Sequence, residues 1–238
     1  MRTTRSDFGC IIETPAGPLP IRAVIGIGQN YAKHAREMGN ATLPERPVVF
    51  TKSPFCVIPS GAPIVIPTIC QDREQVDFEG ELAVVIGPGP GPAREIAKAD
   101  ALRYVLGYAA ANDVSARWWQ KQGSGGQFVR GKSFDTFCPL SDVTPVAQVA
   151  SPNDLRLCTT LNGQIMQDET TADMVFDVAT LVSELSRGMT LVPGTLILTG
   201  TPSGVGTART PPVYLKPGDM VEVTIQGVGT VRNSVRAE

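Results

Sequence analysis

The most informative segment of this chain is Val76-Asp77-Phe78-Glu79-Gly80-Glu81-Leu82-Ala83-Val84-Val85-Ile86-Gly87. Its apolar content predicts a β-strand, in which successive side chains point to opposite faces. Asp77, Glu79 and Glu81 would then share one face of that strand, with Phe78 and Leu82 on the other.

Carboxylates that share one face repel each other unless a raised pKa, a basic partner or a bound cation offsets their charge. Residues 82–86 are apolar and have the composition of a buried segment. A hard cation held by oxygen ligands, such as Mg²⁺ or Ca²⁺, is therefore one hypothesis. The alternative is an edge strand whose acidic residues face water, and spacing alone leaves both open.

The composition is that of an ordinary globular protein. Of the 238 residues, 42% are hydrophobic and 18% are charged, which fits one large domain or two small ones. A formal net charge of −2 and the lack of any Lys/Arg block predict no nucleic-acid and no anionic-membrane partner. Neither a signal peptide nor an apolar run of about 20 residues is found, so we expect a cytoplasmic protein.

The five cysteines are odd in number, widely spaced and without a C-x-x-C pair. This pattern indicates neither a disulfide framework nor a zinc site, and we expect a reducing compartment. Histidine is more restrictive still, because the chain has only one, His34. A zinc site with two or three histidines is excluded, and any Ser-His-Asp or Cys-His arrangement must use His34.

His34 falls in a short predicted helix. The apolar segment Ala23–Gly28 predicts a strand, and Asn30 and Gly39 have the character of the N-cap and the C-terminal stop of a helix that follows it. On this helix Glu37 lies one turn after His34 and can fix the imidazole tautomer. The alternative is an incidental charge pair on a surface helix. Residues 40–47 are polar and contain two prolines, so we expect a loop that could form a lid together with the helix.

The remaining patterns predict a strand-rich chain. Strands are expected at residues 48–52, 57–59, 64–67, 104–113, 155–161, 195–199, 220–225 and 229–233. Helices are expected at residues 93–101, 115–120 and 171–186, and Asn162-Gly163 predicts a hairpin turn. The loop at residues 200–206 lacks both nucleotide-binding fingerprints.

Two further residues are candidates for the acidic site. Asp113 ends an apolar strand and could join the acidic residues as a ligand, or it could cap the helix at residues 115–120. Lys132 lies in a segment with the composition of a packed one and could hold a substrate carboxylate or orient a water molecule. A surface position for Lys132 is the alternative.

Taken together, these segments resemble the fumarylacetoacetate hydrolase superfamily from about Gly26 to the end of the chain. The matching motifs, as they stand here, are Asn30-Tyr31-x-x-His34-x-x-Glu37, Glu79-Gly80-Glu81-Leu82, Asn112-Asp113-Val114-Ser115-Ala116-Arg117, Gly131-Lys132-Ser133-Phe134-Asp135, Asn162-Gly163, Leu198-Thr199-Gly200-Thr201-Pro202-x-Gly204-Val205-Gly206 and Lys216-Pro217-Gly218-Asp219. The resemblance implies an α+β, strand-rich fold: a mixed β-sheet roll with short helices, usually a homodimer. It also implies N-terminal strands and a lid segment at residues 1–47 and the catalytic domain at 48–238.

The resemblance also assigns roles to single residues. The family's metal ligands correspond to Glu79, Glu81 and Asp113, which would bind Mg²⁺ or Mn²⁺, and Asp77 would support them without binding the ion. The lid dyad corresponds to His34 and Glu37, and the family's lysine to Lys132. Its substrate-contacting glutamine and threonine correspond to Gln120 and Thr201.

The function implied first is metal-dependent hydrolysis of a C–C bond in a 2,4-dioxo acid, of the acylpyruvate or fumarylpyruvate type, through a metal-bound enolate. His34, oriented by Glu37, would remove a proton from a water molecule held by Lys132. Decarboxylation or isomerisation of a 2-oxo diacid, of the oxaloacetate or hydroxymuconate type, at the same metal site is the alternative. A non-catalytic protein that binds a small acid is a further alternative from another class. Trp118-Trp119 and Gln29 depart from the residues of many relatives, so substrate identity does not transfer.

Overall fold

The computed structural model describes residues 1–39 and 42–238. In chain order, the strands of this part are β1 (Arg2–Ser6), β2 (Gly9–Thr14), β3 (Gly17–Pro20), β4 (Ala23–Gly28), β5 (Val48–Lys52), β6 (Val57–Pro59), β7 (Ile64–Ile66), β8 (Val76–Asp77), β9 (Gly80–Ile86), β10 (Val105–Asn112), β11 (Ser115–Ala116), β12 (Cys138–Leu140), β13 (Thr144–Pro145), β14 (Arg156–Leu161), β15 (Gln164–Thr170), β16 (Thr195–Leu198), β17 (Met220–Ile225) and β18 (Gly229–Ala237). Its α-helices are α1 (Ala32–Glu37), α2 (Arg117–Gln120), α3 (Phe128–Lys132) and α4 (Val178–Ser186).

The largest sheet has the strand order β5-β4-β16-β9-β10-β12-β6, with β13 also paired to β10. It is mixed: β9 is antiparallel to both β10 and β16, whereas β16 is parallel to β4 and β12 is parallel to β6. A second sheet has the order β15-β14-β17-β18-β7, and β1-β2-β3 form a third. The predicted strand-rich fold with mixed sheets and short helices is confirmed.

Strand β9 is the centre of the hydrophobic core. All its residues are buried, because it has hydrogen-bonded neighbours on both sides and packed side chains on both faces. Ala83 and Val85 belong to one apolar cluster, and Leu82, Val84 and Ile86 belong to the other. This two-sided burial explains the continuous apolar run in the sequence. The alternative of a solvated edge strand for the acidic segment is therefore wrong.

The acidic segment is not one continuous strand, contrary to the prediction for residues 76–87. The ladder stops after Asp77, and β9 begins at Gly80. Between them, the backbone N–H of Glu79 donates to the side chain of Asn112, and that of Phe78 donates to the Asp77 carboxylate. Side-chain acceptors thus replace the strand ladder where the chain bends.

The helix around His34 is shorter than predicted. It spans Ala32–Glu37, and its N-cap residue is Tyr31. Asn30 does not cap it, because the Asn30 side chain accepts from the N–H of Phe176 and donates to the carbonyls of Phe176 and Thr199. The predicted loop at residues 40–47 includes residues 40 and 41, which lie outside the described residues.

The helix predicted for residues 171–186 begins late. Residues Thr171–Asp173 form a 3₁₀ turn, and α4 starts at Val178 with Asp177 as its N-cap. The helix predicted for residues 93–101 is likewise displaced, since a 3₁₀ helix occupies Lys98–Tyr104. The Asn162-Gly163 hairpin is confirmed between β14 and β15.

Strand β4 lies inside the large sheet, between β5 and β16. The division of the chain at residues 47 and 48 stays a prediction. Across residues 1–39 and 42–238, no helix is long and apolar enough to cross a membrane.

Candidate active site

Three buried carboxylates converge at the start of β9 and the end of β10. These strands are antiparallel and place Glu81 opposite Ala111 and Gly80 opposite Asn112, so that Asp113 comes beside Glu79. The N–H of Asp113 donates to the carbonyl of Glu79 over 2.8 Å. One carboxylate oxygen from each of Glu79, Glu81 and Asp113 lies within 4.8 Å of the others. Strand register therefore brings together residues that are more than 30 positions apart in the chain.

Buried cations surround this carboxylate cluster. Nζ of Lys132 lies 2.8 Å from Oε2 of Glu79 and 2.5 Å from Oδ2 of Asp113. Nζ of Lys52 forms an ion pair with Oδ1 of Asp113 and donates to the carbonyl of Phe137 over 2.8 Å. A surface position for Lys132 and a capping role for Asp113 are both wrong, since Lys132 is 2% exposed and α2 is capped by Ala116.

The position of Lys132 depends on the glycine before it. A Cβ atom on Gly131 would lie 2.4 Å from the backbone nitrogen of Gln120 and 2.8 Å from the carbonyl oxygen of Ala116. Only glycine therefore lets α3 lie this close to α2. The Gly131-Lys132 pair in the sequence thus brings the lysine and Gln120 to the same cavity.

The environments of the two glutamates push their pKa values apart. Burial opposes ionisation of Glu79, but the charges of Lys132 and Arg117 lower its pKa well below the usual range. Burial raises the pKa of Glu81 well above its ordinary value, and the charges of Asp113 and Glu79 raise it further. The Glu81 carboxylate accepts from the N–H of Gly200 at 2.7 Å.

These oxygen donors fit a divalent cation. A cation among the three carboxylates would offset the repulsion that raises the pKa of Glu81, and an all-oxygen ligand set is the one that Mg²⁺ and Mn²⁺ prefer. Glu79, Glu81 and Asp113 would hold the ion.

Asp77 does not join the cluster but supports it through Arg117. Its Oδ2 accepts from Nε and Nη2 of Arg117 at 2.8 and 2.6 Å, and its Oδ1 accepts from the N–H of Gly206 at 2.8 Å. Nη1 of Arg117 in turn lies 2.6 Å from Oε1 of Glu79 and 3.0 Å from Oε1 of Gln120. Asp77 therefore orients the guanidinium that orients Glu79.

The sequence reasoning gave no role to Lys52 or to Arg117. Lys52 is the last residue of β5 and follows three apolar residues and Thr51, and a lysine at the end of such a strand was an available signal. Arg117 ends the motif Asn112–Arg117, but nothing local indicated that it would contact Asp77 across 40 residues.

The predicted dyad is formed at the edge of the same site. Nδ1 of His34 lies 3.1 Å from Oε2 of Glu37, and Oε1 of Glu37 accepts from the N–H of Gly204 at 2.9 Å. His34 is 8% exposed. Because Glu37 contacts Nδ1, Nε2 is the ring nitrogen left to accept a proton.

A cavity of about 240 Å³ joins these groups. It is lined by Ile27, Gly28, Gln29, His34, Met38, Phe50, Glu79, Glu81, Arg117, Gln120, Lys121, Phe128, Lys132 and Thr201. Six of the eight predicted site residues are in this lining. The other two lie next to it, since Glu37 contacts His34 and Asp113 contacts Lys132. The Thr201 hydroxyl donates to the carbonyl of Gly80 at 2.9 Å and accepts from Gln167 at 2.8 Å.

The two departures noted in the sequence lie in different places. Gln29 lines the cavity, whereas Trp118 and Trp119 are absent from its lining among the described residues. Instead Trp118 packs under the guanidinium of Arg73, at 4.7 Å, and the two tryptophan rings pack edge to face.

Comparison with known proteins agrees with this geometry. The model of the fumarylacetoacetate (FAA) hydrolase C-terminal family matches residues 23–236. The chain is 43% identical over 220 residues to oxaloacetate tautomerase YisK of Bacillus subtilis (strain 168), covering 92% of this chain and 71% of that protein. It is 42% identical over 213 residues to the mitochondrial oxaloacetate tautomerase FAHD2A of Bos taurus, covering 89% of this chain but only 66% of the relative.

A solved structure matches over nearly its whole length. The fumarylpyruvate hydrolase from Pseudomonas aeruginosa, in complex with Mn²⁺ and pyruvate, is 30% identical and superposes with a TM-score of 0.82, covering 99% of this chain and 96% of that one. These relatives are enzymes, and the resemblance inferred from the motifs is confirmed: the chain belongs to the fumarylacetoacetate hydrolase family.

Proposed function

We propose that this chain is a divalent-metal-dependent enzyme that interconverts the keto and enol forms of a small 2-oxo diacid of the oxaloacetate type. The observation that carries the proposal is that His34, held by Glu37, faces the same cavity as the buried carboxylate cluster. The two tautomerases described above favour this reaction over hydrolysis. Isomerisation was the alternative in the sequence-based prediction, and hydrolysis was its first choice.

The reaction needs one base and one place where negative charge is stabilised. Nε2 of His34 takes a proton from the carbon next to the keto group, and the keto oxygen takes a proton from solvent water. His34 then returns its proton to solvent, so that the enol forms without gain or loss of atoms. Glu79, Glu81 and Asp113 would hold Mg²⁺ or Mn²⁺, which would supply positive charge next to that oxygen.

The other side chains position the substrate and the base. The guanidinium of Arg117 and the amide of Gln120 face the cavity and can donate to a substrate carboxylate. Lys132 fixes the orientation of Glu79 and Asp113. The contact between Glu37 and Gly204 holds α1 against the loop that carries Thr201.

Hydrolysis of a C–C bond in an acylpyruvate or fumarylpyruvate is the second candidate. The match to the fumarylpyruvate hydrolase over nearly the full length of both chains favours it. In that reaction His34 would remove a proton from water instead of from carbon. The two reactions differ in their products, because only hydrolysis releases pyruvate.

The test is a substrate panel with Mg²⁺ or Mn²⁺. The decay of freshly dissolved enol-oxaloacetate is followed by its ultraviolet absorbance, and pyruvate and CO₂ are measured in the same samples. Fumarylpyruvate and acetylpyruvate are assayed in parallel. We expect accelerated enol decay without pyruvate or CO₂. Release of pyruvate from fumarylpyruvate, with no effect on the enol, would favour the hydrolase instead. His34→Ala controls for catalysis by the buffer and by the free ion.

We also propose that the chain acts as a homodimer, as the family resemblance implies. Strand β5 is at the edge of the large sheet, and the exposed side chains of Val49 and Val129 line one groove beside it. Exposed apolar side chains on an edge strand favour pairing with a second copy. Light scattering coupled to gel filtration tests this, with Val49→Lys as the variant expected to be monomeric. The cytoplasmic location stays a prediction from the sequence.

A further inference from the structure

We propose that Lys121, at the rim of the active-site cavity, binds the second carboxylate of the substrate and so makes the enzyme selective for diacids over monoacids. This inference rests on the proposed function and names the residue that would define its substrate class. It is carried by a difference in ion pairing between Lys132 and Arg117, deep in the cavity, and Lys121 at its rim.

The deep cations already have anionic partners. Lys132 contacts the carboxylates of Glu79 and Asp113, and Arg117 contacts those of Asp77 and Glu79. A first substrate carboxylate bound beside them would be charge-balanced only by the divalent cation that Glu79, Glu81 and Asp113 would hold. These residues leave no uncompensated positive charge for a second carboxylate.

Lys121 differs from Lys132 and Arg117 both in its exposure and in its ion pairing. It lines the cavity but is exposed, and within the described residues no carboxylate lies within ion-pair distance of its ammonium group. Its backbone is nevertheless fixed: its N–H donates to the carbonyl of Arg117 over 3.2 Å, and its carbonyl accepts from the N–H of Gly126 over 2.7 Å. The Lys121 side chain therefore starts from a defined point, directly after Gln120.

The walls between the floor and the rim are suited to a carbon chain. Met38, Phe50 and Phe128 line the cavity and are partly buried. A cavity of about 240 Å³ with polar groups at its floor, apolar walls and one ammonium group at its rim matches a short chain with a carboxylate at each end.

Gln29 supports the same assignment from the β4 side of the cavity. It has a φ of 58°, a left-handed conformation that non-glycine residues rarely adopt. Its neighbour Asn30 is hydrogen-bonded to Phe176 and Thr199, which holds the backbone in place. Strained residues of this kind concentrate at ligand sites. The Gln29 amide can donate to the same carboxylate as Lys121.

The test compares two acids of equal carbon number, oxaloacetate and 2-oxobutanoate, which differ in the second carboxylate. Binding to the Mg²⁺-loaded protein is measured by calorimetry for the wild type, Lys121→Met and Lys121→Arg. Lys216→Met is the matched control, because Lys216 is an exposed lysine paired with Glu74 outside the cavity.

Loss of one charge-assisted hydrogen bond weakens binding by about 10-fold to 100-fold. We expect Lys121→Met to weaken oxaloacetate binding by about that factor and to leave 2-oxobutanoate binding within about twofold. Lys121→Arg should restore the preference. Because the ammonium group is exposed, the preference of the wild type should also fall as salt is raised.

Equal weakening of both acids by Lys121→Met, or no weakening of either, would overturn the inference. The kinetic panel separates this from failure of the proposed function. If the wild type accelerates no enol conversion but the binding preference follows Lys121, the proposed reaction is wrong and the diacid site stands. If enol conversion is accelerated and Lys121→Met retains the diacid preference, the proposed reaction stands and the assignment of the diacid site to Lys121 is wrong.

Discussion

Nη1 of Arg117 lies 2.6 Å from Oε1 of Glu79, and this ion pair is buried. The same guanidinium donates to Asp77 through two nitrogens and to Gln120. One planar side chain therefore orients a candidate metal ligand and a candidate substrate-binding amide at once. Lysine cannot replace it, because an ammonium group lacks the fork of donors that reaches all three partners.

We predict that Arg117→Lys weakens both Mn²⁺ binding and oxaloacetate binding, each by about 10-fold or more, because one hydrogen bond to a charged group is lost on each side. Its free energy of unfolding should fall by about 1–3 kcal/mol, since part of Asp77 is left unpaired in the core. Titration with Mn²⁺ and urea denaturation measure these effects. Arg156→Lys, in an exposed pair with Asp168, is the control. Unchanged Mn²⁺ affinity would contradict the role given to Arg117.

Divalent cations should stabilise the fold through the carboxylate cluster. At about 100 times the Kd, a ligand that binds only the folded state adds about 2.7 kcal/mol to the free energy of unfolding. We therefore expect the melting temperature of the wild type to rise with Mg²⁺ or Mn²⁺, and Glu81→Gln to lose this rise. Glu222→Gln, on the half-exposed side of β17, should keep it. An equal rise in Glu81→Gln would show that the ion binds elsewhere.

The dyad should behave as a unit. His34→Ala is expected to lower kcat by about 10² to 10⁴, the usual contribution of a general base. Glu37→Gln should lower it less, because the imidazole remains but its orientation is no longer fixed by a charged partner. The double variant should be no slower than His34→Ala alone. Additive losses would mean that Glu37 acts independently of His34. Circular dichroism checks that α1 persists in each variant.

The buried cysteines predict a loss of stability at alkaline pH. Burial raises the pKa of the Cys10 thiol from 9.0 to about 11 and that of Cys70 from 9.0 to about 12. Above pH 9 the unfolded chain therefore loses these protons before the folded chain does, so the stabilisation present below pH 9 is lost as the pH rises.

Urea midpoints at pH 8 and pH 10, in the presence of reductant, measure this loss. We expect the midpoint of the wild type to fall between the two values, and Cys10→Ala to fall by less from its own starting point. A fall in Cys10→Ala equal to or steeper than that of the wild type would show that Cys10 does not contribute.

Much of the fold could be predicted because its signals are local. The apolar segment Ala23–Gly28 predicted β4, the strand pattern at residues 48–52 predicted β5, and Asn162-Gly163 predicted the hairpin between β14 and β15. The start of α4 was missed because the helical spacing of apolar residues continued upstream of Val178. The helix begins where the Asp177 side chain caps it, accepting from the N–H of Thr180 at 2.7 Å. Periodicity reports which face is apolar and does not report where the backbone leaves the helix.

By itself, the sequence determined the residue types of the site: one histidine, a glutamate one turn after it, and two glutamates spaced to lie on one side of a strand. The family resemblance implied Asp113 as the third ligand and Asp77 as its support. Only the tertiary structure decided that Lys52 and Arg117 orient the cluster and that Asp77 acts through Arg117. The reason is physical. Each of these contacts joins residues at least 32 positions apart, and such contacts follow from strand register, which leaves no mark in the local pattern of side chains.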